Sequence, residues 1–443
     1  MTRSAREIAC DVSAEIRVND AYANLALPRA LWQHSLPARD AADATSLTYG
    51  CARWIGFLDA VLGCAVDRSL TDVDGGVLDI LRLGALELLI NSAPPHVVNE
   101  WVNIAKKRTP RASGFVNATL RRVSRATAEE WRERLSNELE GDERTVALTS
   151  HPAWIVRSFE SVLDSAEVTQ LIDANNTPAV PTMIALPGLA EPPLTSERGE
   201  LSPFAFRAQQ GNIALMPGVR EGAVRVQDEG SQIAALLLAH AAPIDEGERW
   251  LDLCAGPGGK SALMAALLAQ HNGRLVANEP HEHRAELVRS ALKPFVDTTQ
   301  VVSVDGRDIR TEFESPFSRV LVDAPCSGLG ALRRRPEARW RKREDYLIGL
   351  TLLQRELLDS AIDATAVGGF VAYVTCSPDQ RETVDVVTAV TKVRGDVAIV
   401  DTPSVLEEIA PSVEGVRRGT AVQLWPHRHN TDAMFIQLLT RTR

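Results

Sequence analysis

Leu251-Asp252-Leu253-Cys254-Ala255-Gly256-Pro257-Gly258-Gly259-Lys260-Ser261 is an apolar strand that breaks into a glycine-rich turn and opens a helix. Glycines at such a turn let backbone N–H groups approach a ligand, and the helix N-terminus behind it favours negative charge. Two readings compete. A nucleoside-triphosphate loop requires Gly-x4-Gly-Lys-Ser. Gly259-Lys260-Ser261 fits, but Cys254 stands where the first glycine belongs. The rival is an adenosyl-cofactor site. Glu279, twenty positions after Gly259 at the end of the next strand-like run, is an acid that can accept from both ribose hydroxyls. A ligand-free βα turn is the plain alternative, and so dense a glycine cluster argues against it.

Working outward, strand-like and helical stretches alternate from about 225 to the end. The strands are Trp250–Cys254, Arg274–Asn278, Gln300–Val304, Arg319–Asp323, Phe370–Thr375 and Val397–Val400. Helical stretches lie between them, and Ala421–Trp425 with Met434–Leu439 reads as a closing hairpin. This alternation predicts a doubly wound sheet with its crevice beyond the C-terminal strand ends. Asp305 ends the third strand before Gly306 and can reach an adenine edge; a simple Asp-Gly turn explains it equally well. Asp323-Ala324-Pro325-Cys326-Ser327-Gly328 ends the fourth strand and Thr375-Cys376-Ser377 the fifth. One such cysteine would read as a small buried hydrophobe. Two at neighbouring strand ends, each in a polar turn, point to chemistry.

The rest of the chain differs. Residues 1–142 read as helices, with apolar residues three and four apart in Val77, Ile80, Leu81, Gly84, Ala85 and Leu88. Residues 143–225 carry a helix-like stretch at Trp154–Leu171 and short runs such as Thr182–Leu186 broken by prolines, a small α+β module. Of the 443 residues, 45% are hydrophobic and only 5% aromatic, so the cores rest on Ala, Leu and Val. No apolar run approaches the roughly 20 residues of a membrane span. The opening carries Glu7 and Asp11 and no apolar stretch, so no signal peptide is expected. The six cysteines form no CxxC pair, which argues against zinc and for a reducing cytoplasm. A net charge of −10 argues against a protein that coats nucleic acid everywhere. Yet Lys106, Lys107, Arg108, Arg111, Arg121, Arg122 and Arg125 form one acid-free basic run. Arg333, Arg334, Arg335, Arg339, Arg341, Lys342 and Arg343 form another, interrupted only by Glu337. Solvated faces account for many such runs, but two on an acidic chain favour a polyanion partner.

The chemistry that fits two strand-end cysteines is methylation of an aromatic carbon. Carbon-5 of cytosine is a poor nucleophile until a thiolate adds to carbon-6. An acid near ring nitrogen-3 must take up developing charge, a role open to Asp323, which also reads as a turn cap. CAGPGGK, VDAPCSGLG and YVTCS together resemble the RNA cytosine-5 methyltransferase family. VQDEGSQ and WPHRHNTDAMF match its pattern, and LTYGCARW, LRLGALELLI and GFVNATLRRV resemble the NusB RNA-binding domain. The resemblance covers nearly the whole chain. It implies an all-α NusB-like domain at 1–142, a small α+β module at 143–225 and a Rossmann-like class I methyltransferase domain at 226–443. It implies S-adenosyl-L-methionine held by Cys254, Ala255, Gly256, Pro257, Gly258, Gly259 and Lys260, with Glu279 on the ribose. Asp305 would lie at the adenine and Asp323 along both cofactor and base. Arg284 is a weaker candidate for that pocket, and a solvated helix face would also explain it. The resemblance makes Cys376 the nucleophile, Cys326 the aid to product release, and Lys260 a member of the catalytic group; spacing alone does not rank the cysteines. The implied partner is 16S ribosomal RNA before full subunit assembly, with no membrane and no obligate protein partner. Gly256 stands where alanine is common in the family, and Ala433-Met434 where a Gly-aromatic pair is usual. A P-loop ATPase and a non-catalytic RNA-binding protein on a methyltransferase fold are the rival functions; Cys254 and the second cysteine motif argue against the first, and intact Cys326, Cys376, Asp323 and Lys260 against the second.

Overall fold

In the computed structural model, which describes residues 3–19, 21–208 and 213–443, packing divides the chain into two units. One runs to Arg157 and adds Arg334–Arg341; the other holds Ser158–Arg333 and Lys342–Arg443. This differs from the three parts expected from the sequence, because 158–225 packs with the α/β portion.

The first unit is helical, as its periodicity predicts. Its central helix, Gly75–Leu89, starts where the Asp74 carboxylate accepts from the N–H groups of Gly76 and Val77. Val77, Ile80, Leu81, Ala85 and Leu89 lie on its buried side. They pack in one cluster with Trp101, Val116, Leu120 and Trp131 from the later helices. Trp101 is wholly buried and its Nε1–H donates to Glu87 at 2.7 Å, so the large ring leaves no orphan donor. Further along the unit, Thr127 and Glu130 form a reciprocal capping box for the helix Ala128–Glu138.

The basic run at 333–343 is not one continuous polyanion-binding face: Arg335 and Arg343 are exposed, but Arg333 and Arg339 are buried. Residues 334–341 fold as part of the helical unit. Arg339 is fully buried and donates to the carbonyls of Ser150 at 2.9 Å and Arg53 at 3.4 Å. Trp340 donates from Nε1 to Ala52 O at 2.9 Å, and Glu337 accepts from the N–H of Ala23 at 3.2 Å. Arg341 bonds the carbonyl of Ala21 and lies over the Tyr22 ring. Burial pushes the Arg339 guanidinium down to about 9, which still leaves it charged at neutral pH. A cation so enclosed by carbonyl oxygens serves the core rather than a phosphate. In the other unit, Arg333 is tied to Asn430, and at the surface Arg343 pairs with Asp345.

In the second unit, β1 (Thr182–Ala185), β2 (Ala205–Arg207) and β3 (Val224–Val226) form a small antiparallel sheet ordered β2-β1-β3. The expected single helix at 154–171 is two, because Asp164 caps a new one, Ser165–Asn176, by accepting from Glu167 N–H. The main sheet holds β4 (Arg249–Asp252), β5 (Arg274–Asn278), β6 (Thr299–Val302), β7 (Phe317–Asp323), β8 (Thr365–Thr375), β9 (Val397–Ile399), β10 (Arg417–Arg418), β11 (Ala421–Gln423) and β12 (Phe435–Arg441). Its order is β10-β11-β12-β8-β7-β4-β5-β6, with β9 beside β12. The five strands from β6 to β8 are parallel; β12 and its other neighbours are antiparallel. Alternation sends Trp250, Leu321, Ala372 and Val374 to one face and Leu251, Val320, Val322 and Tyr373 to the other, each face covered by its own apolar cluster. The chain enters at β4, adds β5 and β6 on one side, and only then β7 and β8 on the other. The switch in direction lies at the C-terminal end of β4, where open α/β sheets place ligands. Among the described residues, no helix is long and apolar enough to cross a membrane.

Candidate active site

The register of β7 on β8 aligns their ends: Asp323 lies opposite Val374, and Ala324 N–H donates to Val374 O at 2.9 Å. From these level ends the chain runs three residues to Cys326 and two to Cys376, and their sulfurs meet at 3.4 Å. Two bonds tie the two turns together: Gly330 N–H donates to Cys376 O at 2.9 Å, and the Ser327 and Ser377 hydroxyls bond at 3.1 Å. Ala433 N–H, from the segment before β12, donates to Gly330 O at 2.9 Å. The thiols are unequal. The hydrogen bond from Cys326 holds Cys376 below the usual thiol range, against its burial and helped by Lys260. The same contact, with burial, pushes Cys326 well above it. Cys376 is therefore the readier thiolate.

Lys260, in the first turn of the helix Gly259–Ala269, reaches Asp323 Oδ2 at 2.7 Å and Ser231 Oγ at 3.4 Å. Burial works against its charge, but Asp323 more than offsets this and holds the ammonium above its usual range. Beneath it is a second acid. Asp252 is 1% exposed; its Oδ2 accepts from Ser261 at 2.6 Å, while its Oδ1 has no partner among the described residues. Burial pushes this carboxyl up to about 7. Its native proton affinity thus exceeds its unfolded one, so its favourable contribution is whole below pH 4 and is lost as pH rises through 7. Each tenfold change in proton affinity is worth about 1.4 kcal/mol, so ionised Asp252 costs several kcal/mol. Asp252→Asn should flatten the fall in melting temperature between about pH 4 and 7 and leave the variant no less stable than wild type at pH 8. An unaltered pH slope in thermal melts would show that Asp252 is ionised throughout.

The glycine turn is anchored where Ala255 N–H donates to Asn278 O at 2.8 Å, beside the end of β5. Glu279 follows and is 2% exposed. Its Oε1 accepts from the N–H and Nδ1 of His281, at 3.1 and 3.0 Å, and its Oε2 pairs with Arg284 Nη1 at 3.2 Å. Arg284 also donates to Gly256 O at 3.0 Å. A Cβ on residue 256 would fall 2.1 Å from Glu279 Oε2. The glycine found where alanine is common is thus what lets this carboxylate lie against the turn. An adenosyl group fits here: a buried acid at a strand end, beside a glycine turn, bonded to the exposed side chains of His281 and Arg284. Burial pushes the Cys254 thiol well up, so within the turn it behaves as a packing group. Asp305 is less committed to this place. It caps the turn that follows, and its carboxylate is held at about 2 by the Arg307 guanidinium.

Comparison with known proteins bears on this site. A family profile described as 16S rRNA methyltransferase RsmB/F matches residues 239–440, and one described as the NusB family matches 3–125. The ribosomal RNA small subunit methyltransferase B of Pseudomonas syringae is 31% identical over 87% of this chain and 86% of its own. A Mycobacterium tuberculosis protein named as a methyltransferase is 42% identical over 99% of this chain and 96% of its own. The chain belongs to the RsmB/F family of 16S rRNA methyltransferases. A solved structure, PH0851, covers 100% of both chains with a TM-score of 0.81 at 22% identity, a likeness of fold. Family membership sets aside the nucleoside-triphosphate reading of the glycine turn, and S-adenosylmethionine is the cofactor. Sequence reasoning missed four residues of this RsmB/F site. Ser231 lies in the quoted VQDEGSQ and Asp252 in the opening stretch, so a signal for both was present. Glu382 and Gln354 had none: each stands among ordinary polar neighbours, Asp379-Gln380-Arg381 and Arg355-Glu356, and only the tertiary fold brings both to the Cys326 turn.

Proposed function

We propose that the protein methylates carbon-5 of a cytosine in 16S ribosomal RNA through a covalent adduct with Cys376. The observation that carries this is the pair of strand-end thiols at 3.4 Å, of which Cys376 is the more acidic. The target base leaves its stack to enter the crevice, which favours RNA not yet buried in an assembled subunit. The Cys376 thiolate adds to carbon-6, and the electron pair moves onto carbon-5. As negative charge develops at ring nitrogen-3, Asp323 hands that nitrogen a proton drawn from the Lys260 ammonium bonded to it, and takes the proton back when the ring is restored. When bound, S-adenosylmethionine supplies the methyl group that carbon-5 takes. Loss of the carbon-5 proton to a base then expels the Cys376 thiolate and restores the ring, and Cys326 assists this step. Incubation of unmodified 16S rRNA with a methyl-labelled cofactor, followed by digestion to nucleosides, should put the label in 5-methylcytidine. Label in any other nucleoside overturns the reading.

The turn from Cys254 to Lys260 would hold the cofactor, with Glu279 on the ribose, Arg284 beside it and Asp305 toward the adenine. A carboxylate on the ribose diol makes two charge-assisted bonds, each worth about 1.5–3 kcal/mol. Glu279→Ala should therefore weaken cofactor binding roughly tenfold or more in calorimetry, with RNA affinity intact. Unchanged cofactor affinity would remove Glu279 from the site.

RNA binding falls to the helical unit and its basic run at 106–125. Lys107, Arg108 and Arg122 are spent on Glu7, Asp11 and Asp67. Lys106, Arg111 and Arg125 are exposed and, among the described residues, pair with no acid. Reversing those three to Glu should weaken RNA binding and reduce its salt slope by about 0.7–0.9 per lost phosphate contact. Methylation of a short RNA at saturating concentration should survive. An unchanged slope would make this run a merely solvated face. The free thiols fit a reducing cytoplasm.

A further inference from the structure

The RsmB/F family assignment and the cysteine roles leave unexplained a buried carboxylate behind the cysteines. Glu382 is 0% exposed, and among the described residues no cation pairs with it. Its carboxylate accepts from the backbone N–H of Ser327 at 2.7 Å, from the Ser327 hydroxyl, and from Gln354 Nε2 at 3.0 Å. Gln354, also 0% exposed, donates a second bond from Nε2 to Pro325 O at 2.8 Å. Its Oε1 has no partner among the described residues, so both its bonds are made through one nitrogen. The residue before Cys326 and the residue after it are thus each held by this pair. The same network reaches the other cysteine: the Ser327 and Ser377 hydroxyls bond at 3.1 Å, and Tyr373 on β8 donates its hydroxyl to Glu382 O at 2.8 Å.

We propose that Glu382 and Gln354 are positioning residues that hold Cys326 at its distance and angle from Cys376, so that the adduct is resolved rather than trapped. Neither touches substrate or cofactor; both act through the Pro325–Ser327 backbone. An unpaired buried carboxylate is expensive unless its oxygens are filled by donors. Here every donor that fills them belongs to the cysteine turn or to the residue that clamps it. The charge of Glu382 also opposes ionisation of Cys326, keeping that sulfur protonated and able to donate to Cys376. A neutral side chain of the same shape removes that bias and turns one oxygen into a donor facing the Ser327 hydroxyl.

The inference rests on the proposed roles of the two cysteines, and its test separates the two. Full-length wild type, Cys326→Ala, Glu382→Gln and Gln354→Leu are assayed on 16S rRNA below their melting temperatures, with a denaturing gel for protein–RNA adduct. Glu382→Gln should lower kcat on the order of tenfold or more, as expected for an ångström-scale misplacement. The KM for RNA and the cofactor affinity should hold, and adduct should build up as in Cys326→Ala. Gln354→Leu should show the same pattern more weakly, and decides alone if Glu382→Gln does not fold. Wild-type kcat and no adduct in the folded variants, while Cys326→Ala traps adduct, overturns the positioning role and leaves Glu382 a core residue. No adduct in Cys326→Ala overturns the reading of the cysteines themselves, and the positioning role with it.

Discussion

Cys376→Ala should abolish methylation, by a factor of at least about a thousand, or roughly 4 kcal/mol of transition-state stabilisation. The reason is that no other side chain can do its work. Carbon-5 becomes nucleophilic only once carbon-6 is saturated, and the thiol that donates into Cys376 is itself pushed away from ionisation. No denaturation-resistant RNA adduct should form in this variant, while S-adenosylmethionine still binds at the glycine turn. Cys326→Ala should behave in the opposite way. Addition and methyl transfer need only Cys376, but the elimination that frees it loses its helper. A covalent protein–RNA species should accumulate and shift the band on a denaturing gel. Adduct with Cys376→Ala and none with Cys326→Ala would reverse the assignment. Full activity in both would end the thiol mechanism and leave the cysteines as packing residues.

Gly330→Ala should do comparable damage from outside the chemistry. A Cβ there would fall 2.0 Å from Ala433 O and 2.9 Å from Cys376 O. Both neighbours are backbone, so neither can swing away as a side-chain tip would. The turn must shift, and the shift breaks the bonds from Gly330 N–H to Cys376 O and from Ala433 N–H to Gly330 O. Overpacking of this kind costs about 1–3 kcal/mol of stability. The larger loss should be in kcat, since the displaced carbonyl belongs to the nucleophile; about a hundredfold follows from a displacement near 1 Å. A variant of wild-type kcat would show that the Cys376 turn tolerates movement.

The glycine turn, the strand ends and the helical first unit could all be read from the chain because their signals are local. A strand running into glycines, an acid at the next strand end and apolar residues three and four apart each fit within a short window. What escaped reading depends on partners far along the chain. That Cys326 meets Cys376 rather than merely sharing an edge follows from the Asp323–Val374 register. Glu382 became visible only when folding enclosed it. The run at 333–343 misled for the same reason. Arg339 looks like its neighbours in sequence, yet the carbonyls that surround it belong to Arg53 and Ser150. Charge density in a window does not say which cation has a cavity waiting.

That cavity has a consequence for how the protein is made. The helical unit is encoded first, but the peptide that fills its interior, Arg334–Arg341, is translated only after most of the other unit. At 5–20 residues per second, the early helices wait on the order of ten to forty seconds for their last piece. During that interval the carbonyls of Ala52, Arg53 and Ser150 face water or a chaperone instead of Arg339 and Trp340. A gene fragment that stops at Arg157 leaves those three carbonyls without Arg339 and Trp340, and a fusion that grafts the helical unit elsewhere restores them by carrying the octapeptide along.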